Sequence, residues 1–369
     1  MSGPFPHVRT SGTPYERGHQ YGEQAADRVR RSIAAYDVVF RHYAGWDWPT
    51  VTAEAMRFVA PVAEFDAMFV EEMRGIADGA GVTLADVVAI NVRTEVMFAA
   101  KARNAAALLP RTLECSAFAS VPTDGRPVLA GQNWDWMTHA FDTVVVLECT
   151  PDDGPAFVTV VEAGLLAKAG LNAAGLAVVT NALVSDRDLG EPGIPYHVVL
   201  RALLTATTPT QALGLVQAGV RSSSASYVLA HRDGLALGIE ATPGGFAGLH
   251  LTQPDHRGVV LHTNHFVHPR FRDTDVGLWA MPSSVFRYQR ADRWLDRYDP
   301  GDPATYEAML GDHAGHPESI CCHPEPGSVP AEESSTIVGL VLDTDALTVR
   351  IADGRPCEHA FRDLDVRLE

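Results

Sequence analysis

The sequence predicts a layered α+β protein with two antiparallel sheets, and three observations predict it. The first third is helical in pattern, the remainder is a succession of short apolar runs between turns, and helical segments recur among those runs, where they can cover sheet faces. From Tyr15 to about Asn104, good helix formers carry apolar residues at a spacing near 3.6 residues, beginning with the run from Tyr15 to Ile33. Residues 64–79 and 83–97 read the same way, and Thr83 with Asp86 fits a capping box with Asp in place of Glu or Gln.

After Pro110 the texture changes. Strands are predicted at 115–121, 127–132, 143–149, 156–162, 176–181, 226–230, 236–240, 259–263, 337–343 and 347–351. Turn signals such as Thr123-Asp124-Gly125-Arg126, Asp152-Asp153-Gly154 and Arg232-Asp233-Gly234 suit hairpins and therefore antiparallel pairing. Helices are expected at 195–205, 210–218 and 283–298. The best boundary lies near Pro110–Glu114, with no repeat and no low-complexity linker elsewhere.

Composition excludes several classes of function. The 369 residues are 46% hydrophobic and 20% charged, as in ordinary globular proteins. No run approaches the ~20 apolar residues needed to cross a bilayer, and the first residues lack an apolar signal core. A cytoplasmic location is the expectation. A net charge of −17 repels phosphate backbones and anionic membranes, so neither nucleic acid nor membrane is an expected partner. Lysine occurs only at Lys101 and Lys168, which makes Schiff-base chemistry an unpromising reading. Five cysteines (Cys115, Cys149, Cys321, Cys322 and Cys357) form an odd, sparse set that argues for free thiols.

The stretch with most chemistry is Glu114-Cys115-Ser116-Ala117-Phe118-Ala119-Ser120, followed by Gly131-Gln132-Asn133-Trp134-Asp135-Trp136. A cysteine opens one predicted strand and a polar cluster ends the next. The turn at Thr123–Arg126 joins the two, so antiparallel pairing brings Cys115 close to Asn133 and Asp135. A thiol beside a carboxylate and a carboxamide has the parts of an activated nucleophile. A buried structural cysteine beside a polar turn has the same parts, and both readings stand at this level.

Four separated stretches carry a family resemblance. They are Gly12-Thr13-Pro14-Tyr15-Glu16-Arg17-Gly18 with Gly22, the Cys115-Ser116 to Gly131-Gln132-Asn133-Trp134-Asp135 block, His262-Thr263-Asn264-His265-Phe266, and Ser319-Ile320-Cys321 with His323; the Gly354-Arg355-Pro356-Cys357 ending fits as well. The chain resembles the acyl-coenzyme A:6-aminopenicillanic acid acyltransferase family, the self-cleaving C45 peptidase group, which also includes insect hydrolases of β-alanyl amines. The resemblance implies the four-layer αββα fold of the N-terminal-nucleophile (Ntn) hydrolases. It also implies cleavage before the nucleophile, here at Glu114–Cys115, giving a helical segment 1–114 and a catalytic segment 115–369 of one domain. The family's usual residue before that bond is small, and Glu114 departs from it.

By the same resemblance Cys115 is the nucleophile and Asp135 orients the α-amino group that cleavage releases. Asn133 supports that turn, Asn264 donates to the oxyanion and Ser116 positions the scissile peptide. Such an amine, with a reference pKa of roughly 7.7–8.0, can take the thiol proton, so no catalytic histidine is needed and His139 reads as ordinary. Ntn amidases often place an arginine by the nucleophile; Arg201 and Arg287 are candidates, each read more readily as a surface or ion-pair residue. Asp312-His313-Ala314-Gly315-His316 with Cys321-Cys322-His323 has the residue types of a zinc site without a standard spacing. It is read as a loop packing near the substrate cleft, and no metal or cofactor is expected. The five histidines of residues 250–268 read as incidental. No glycine-rich phosphate loop is present, so coenzyme A would enter only as a substrate.

The leading expectation is a self-processing amidohydrolase that forms an acyl-Cys115 intermediate from a small N-acyl amide. The alternatives are an acyltransferase delivering the acyl group from an amide or acyl-CoA to an amine, and an uncleaved binding protein of the same fold. The partners expected are the small-molecule amide, acyl-CoA in the acyltransferase reading, and the two fragments of the precursor.

Overall fold

The computed structural model describes residues 5–103 and 115–368. Glu114, its bond to Cys115 and the predicted boundary at 110–114 lie outside the described residues. The chain opens with β1 (His7–Gly12), then α1 (Pro14–Gln24), α2 (Ala26–Ala44), α3 (Trp48–Ala55), α4 (Val59–Ala80), α5 (Leu84–Asn91) and α6 (Arg93–Arg103). Six strands follow: β2 (Cys115–Ser120), β3 (Leu129–Met137), β4 (Val144–Pro151), β5 (Phe157–Glu162), β6 (Ala169–Asn172) and β7 (Leu176–Ala182). After α7 (Tyr196–Leu203) and α8 (Pro209–Gln217) come β8 (Ala225–His231), β9 (Leu235–Ala241), β10 (Leu249–Thr252) and β11 (Val259–His262). The last part holds α9 (Gly277–Ala280), α10 (Ser283–Leu295), α11 (Pro303–Leu310), β12 (Ser334–Asp343), β13 (Thr348–Ala352) and β14 (Arg362–Asp363).

The strands form two sheets. One has the order β1-β4-β5-β6-β7-β8-β9-β10 and the other β11-β2-β3-β12-β13-β14. The sheets stack through β2 and β3 against β7 and β8, while α1, α2 and α8 pack on the first sheet and α10 and α11 on the second. This is the four-layer αββα arrangement that the resemblance implies. Alternation along β2 sorts its side chains between two cores. Cys115, Ala117 and Ala119 join the large core, whereas Phe118 joins a smaller one with Tyr306, Leu310 and Ile320 under α10 and α11. None of the described helices is long and apolar enough to cross a membrane.

The glycines of the first motif are explained by packing. A Cβ on Gly18 would stand 2.2 Å from Glu72 O, and one on Gly22 would stand 2.2 Å from Ile76 O. In return, a Cβ on Gly75 would meet Tyr15 O at 2.2 Å and one on Gly79 would meet His19 O at 2.1 Å. Helices α1 and α4 thus touch backbone to backbone, which only glycine permits. The capping box expected at Thr83 and Asp86 is present at the start of α5.

Three features differ from the sequence reading. The segment before residue 115 is not purely helical, because β1 pairs in parallel with β4. The polar cluster at residues 132–135 does not end its strand, since β3 runs on to Met137. Each of these polar side chains has a partner outside its own strand: Gln132 Oε1 accepts from Thr180 N at 2.7 Å, and Asn133 Nδ2 donates to Leu310 O and Ile320 O at 2.8 Å each. Asp135 Oδ1 accepts from Thr336 Oγ1 at 2.6 Å. Anchored in this way, polar residues can occupy an interior strand, although Gln132 Nε2 and Asn133 Oδ1 are buried with no hydrogen-bond partner among the described residues. The long first helix is also two helices, parted at Ala25, whose backbone is non-helical.

Candidate active site

Cys115 is the first residue of β2, an interior strand flanked by β11 and β3. It lies opposite Trp134, and Ser116 lies opposite Asn133. The hairpin thus brings the predicted nucleophile next to the predicted polar cluster. The thiol faces between the sheets and the side chains of Ser116 and Asn133 face the other way. Cys115 is 5% exposed and lines a small cavity with Arg93, Trp136, Lys168, Ala182, Tyr196 and His197. Both halves of the chain contribute to that cavity, through Arg93 at the start of α6 and through the strands and α7.

The backbone of Cys115 is held on two sides. Its N–H donates to Asn264 Oδ1 at 2.6 Å, and its carbonyl accepts from Arg287 Nη1 at 2.7 Å. Arg287 also donates to Ser116 Oγ at 3.1 Å and to Asn264 Oδ1 at 3.0 Å. Asn264 Nδ2 donates to Ala182 O at 3.0 Å. This orientation of the carboxamide follows from its partners, because the Cys115 amide and Arg287 can only donate and a backbone carbonyl can only accept. The expectation aimed the Asn264 nitrogen at the reacting carbonyl. The structure turns its oxygen to Cys115 N, because an amide N–H in a buried strand end requires an acceptor. One proton of Nδ2 serves Ala182, and the group carries a second.

Asn264 is positioned from behind by α10. Its N–H donates to Ser284 Oγ at 2.7 Å, and Ser284 Oγ donates to Thr263 Oγ1 at 3.0 Å. Of the five histidines of residues 250–268, judged incidental, His265 belongs to this support and His262 is tied to the neighbouring β9. His265 Nδ1 lies 2.8 Å from Ser284 Oγ, and His262 Nε2 lies 3.0 Å from Glu240 Oε1.

Arg287 corrects the sequence reading. It is 1% exposed and bonds to the Cys115 carbonyl, whereas Arg201 is bound to Glu72 at 3.0–3.1 Å in a buried ion pair. A signal was available in the sequence. The buried residues of α10 are Ser283, Ser284, Arg287, Ala291 and Leu295, so an arginine occupies the apolar stripe of an amphipathic helix. Asn133 does not turn toward Cys115. It anchors the end of α11 and the segment around Ile320 on the opposite face of the sheet.

Lys168, set aside on the sequence, is 4% exposed and lines the cavity with the thiol. Its Nζ stands 3.5 Å from the centre of the Trp134 ring and 5.2 Å from that of Trp136. Burial, reinforced by Arg93, lowers its pKa to about 7. Arg93 is bound to Glu162 at 2.8 Å and also contacts His197. Tyr36 donates to the other Glu162 oxygen at 2.7 Å. Burial would raise the carboxyl of Glu162, but Arg93, His139 and Lys168 outweigh it and hold the pKa at about 2. Burial pushes the Cys115 thiol up to about 11, against the opposing pull of Lys168, a hydrogen bond from the Asp135 backbone and Arg287. A buried thiol, the neighbouring Arg93, Arg287 and Lys168, and a backbone fixed on both sides make a site suited to attack on a carbonyl, with burial opposing the thiolate and the basic groups favouring it.

A family model for acyl-coenzyme A:6-aminopenicillanic acid acyl-transferase matches residues 121–357. The chain belongs to that family of acyl-transferases. Among curated proteins it is similar to the acyl-coenzyme A:6-aminopenicillanic-acid-acyltransferase 40 kDa form of Emericella nidulans. The two are 26% identical over 351 residues, covering 95% of this chain and 93% of the relative. Among solved structures it is similar to the Caenorhabditis elegans ortholog of N-acylethanolamine-hydrolyzing acid amidase, with 13% identity and a TM-score of 0.45, over 62% of this chain and 93% of that one. It is also similar to penicillin V acylase from Agrobacterium tumefaciens, with 16% identity and a TM-score of 0.43, over 65% of this chain and 83% of that one.

Proposed function

We propose that the chain cleaves its own Glu114–Cys115 bond and then hydrolyses a small N-acyl amide through an acyl-Cys115 intermediate. The observation that carries this reading is the setting of Cys115: a buried thiol in a cationic cavity, with its own N–H and C=O each held by a side chain. In the first step the Cys115 sulfur loses its proton and attacks the carbonyl carbon of Glu114. The acyl group passes from nitrogen to sulfur, and water then splits the thioester, leaving a Glu114 carboxylate and a Cys115 α-amine. In turnover the thiol proton passes to that amine, and the thiolate attacks the substrate carbonyl. The departing amine takes the proton, and water releases the acid from sulfur. Asn264, through the second proton of Nδ2, meets the oxyanion, Arg287 fixes the strand end, and Asp135 orients the new amine.

The same machinery serves an acyltransferase if an amine reaches the acyl-enzyme before water does. The name of the Emericella relative favours acyl-CoA as the thioester donor in that case. Turnover of an amide in buffer, with and without acyl-CoA and an amine acceptor, distinguishes the two. A binding protein without chemistry would remain a single chain. Intact mass and N-terminal sequencing of active protein should therefore reveal two fragments, the second beginning at Cys115. An intact chain in active enzyme removes the free-amine mechanism.

Before the cut there is no α-amine at Cys115, so the first step needs another proton acceptor. We assign this to Lys168, which shares the cavity with the thiol. An amine accepts a proton only in its neutral form. With a pKa lowered to about 7, that form grows as pH rises through about 7. Cleavage of freshly synthesised precursor should accelerate across that interval. Lys168→Met should slow it and flatten the profile; an equal rise with pH in the variant assigns the base elsewhere.

A further inference from the structure

On the face of the second sheet away from the cavity, four side chains from two stretches of chain converge. His313, Cys321 and His323 come from the segment after α11, and Cys357 from the turn after β13. One ligand atom from each lies within 4.8 Å of all the others. His313 Nε2 and His323 Nε2 are 3.0 Å apart, Cys357 Sγ lies 3.4 Å from His323 Nε2, and Cys321 Sγ lies 3.9 Å from it. A tetrahedral ion with metal–nitrogen bonds of about 2.0–2.1 Å and metal–sulfur bonds of about 2.3 Å sets its ligand atoms roughly 3.3–3.8 Å apart. The observed separations bracket that interval. We propose that His313, Cys321, His323 and Cys357 form a closed Cys2His2 site for one zinc-type divalent cation.

The neighbouring residues delimit the ligand set. Asp312 is engaged by Arg290 at 2.6 and 2.9 Å and is not part of it. Cys322 has its sulfur 3.8 Å from the His323 carbonyl and stands outside the group. His316, whose ring centre is 5.0 Å from that of His323, stands outside it as well. Backbone bonds fold the segment into the required shape, with Cys321 N donating to Asp312 O and His323 N to Pro317 O, each at 3.0 Å. Two thiolates and two imidazoles suit zinc, and four protein ligands leave no open position, so the site is structural. The sequence shows three of these ligands in one segment but not the set, because the fourth ligand is Cys357, far along the chain, while two decoys, His316 and Cys322, sit among the other three.

The site also has a place in the architecture of the active centre. The segment it clamps supplies Ile320 O to Asn133, and Cys322 N donates to Thr336 Oγ1 at 2.8 Å. Thr336 in turn donates to Asp135. A metal here stiffens the support behind Asp135 without touching the cavity.

The test uses the full chain. Elemental analysis of protein expressed with added zinc should give about one zinc per chain. Protein stripped with chelator and titrated with cobalt(II) should show thiolate-to-cobalt charge transfer and tetrahedral d–d bands that saturate at one equivalent. Cys357→Ser, at an exposed position, should weaken cobalt binding at least about tenfold and reduce the charge-transfer band. His316→Asn, at an exposed position outside the set, should change neither. Protein without metal and without a cobalt spectrum, whether its thiols are free or Cys321 and Cys357 are joined as a disulfide, overturns the proposal. So does a His316→Asn variant that loses cobalt as Cys357→Ser does.

Discussion

Cys115→Ala is expected to yield a folded, uncut chain with no amide turnover. Both proposed steps use the same sulfur, so one substitution removes both. The structural cost is small: the site is a strand end whose hydrogen bonds run through the backbone to Asn264 and Arg287, and these survive a change of side chain. Cys115→Ser separates the steps further. A hydroxyl can still attack the Glu114 carbonyl, so slow processing is expected, but its alcohol ionises far less than a thiol and turnover should nearly vanish. Cys149→Ala is the contrast. That cysteine is buried in β4 of the other sheet, and its loss should leave most activity in place. Intact mass together with an amidase assay reads all three variants; turnover in Cys115→Ala moves the nucleophile elsewhere.

Asn264→Ala is expected to lower kcat by about a hundredfold or more, the loss of about 2.7–4 kcal/mol typical of a preorganised oxyanion donor. The hydrogen-bond pattern supplies a sharper variant. Asn264→Asp keeps an oxygen for Cys115 N and for Arg287 and removes the amide donor. If the donor acts in the transition state, the Asp variant loses about as much kcat as the Ala variant. If the residue only positions Cys115, Asp retains most of the rate. A raised KM with unchanged kcat in either variant places Asn264 in substrate binding instead.

Much of this architecture was legible in the sequence, and the exceptions have physical causes. The strands found are those that read as apolar runs between turn signals. The four missed ones, β1, β6, β10 and β14, are short or polar: His7–Gly12 is partly exposed, and Arg362–Asp363 is two residues long. The start of β2 and its hairpin to β3 were readable from turn chemistry alone. The end of β3 was not, because Asn133 and Asp135 are bonded to groups on α11, the segment around Ile320 and β12, remote in sequence. Lys168 and Arg93 reach Cys115 only through tertiary folding, and no local pattern marks them. Arg287 was marked, by its place on the buried stripe of α10, and the general tendency of arginine toward the surface masked the signal.

The first strand has a consequence for how a severed chain would behave. β1 lies in register with β4 along six residue pairs. Just ahead of it, Phe5 N donates to Asp353 Oδ1 at 2.9 Å, tying the front of the chain to a residue near its far end. Across the cut, Arg93 and Tyr36 both bind the Glu162 carboxylate, at 2.8 and 2.7 Å. A cut before Cys115 would therefore make a two-subunit protein that never existed as separate subunits. Its pieces meet once, during folding, at the local concentration of a single chain, and no later encounter is needed. Dilution, which dismantles ordinary heterodimers by mass action, would have little purchase on it. Parting the pieces would mean pulling a strand out of a sheet, so the lifetime of the pair would be the lifetime of the fold.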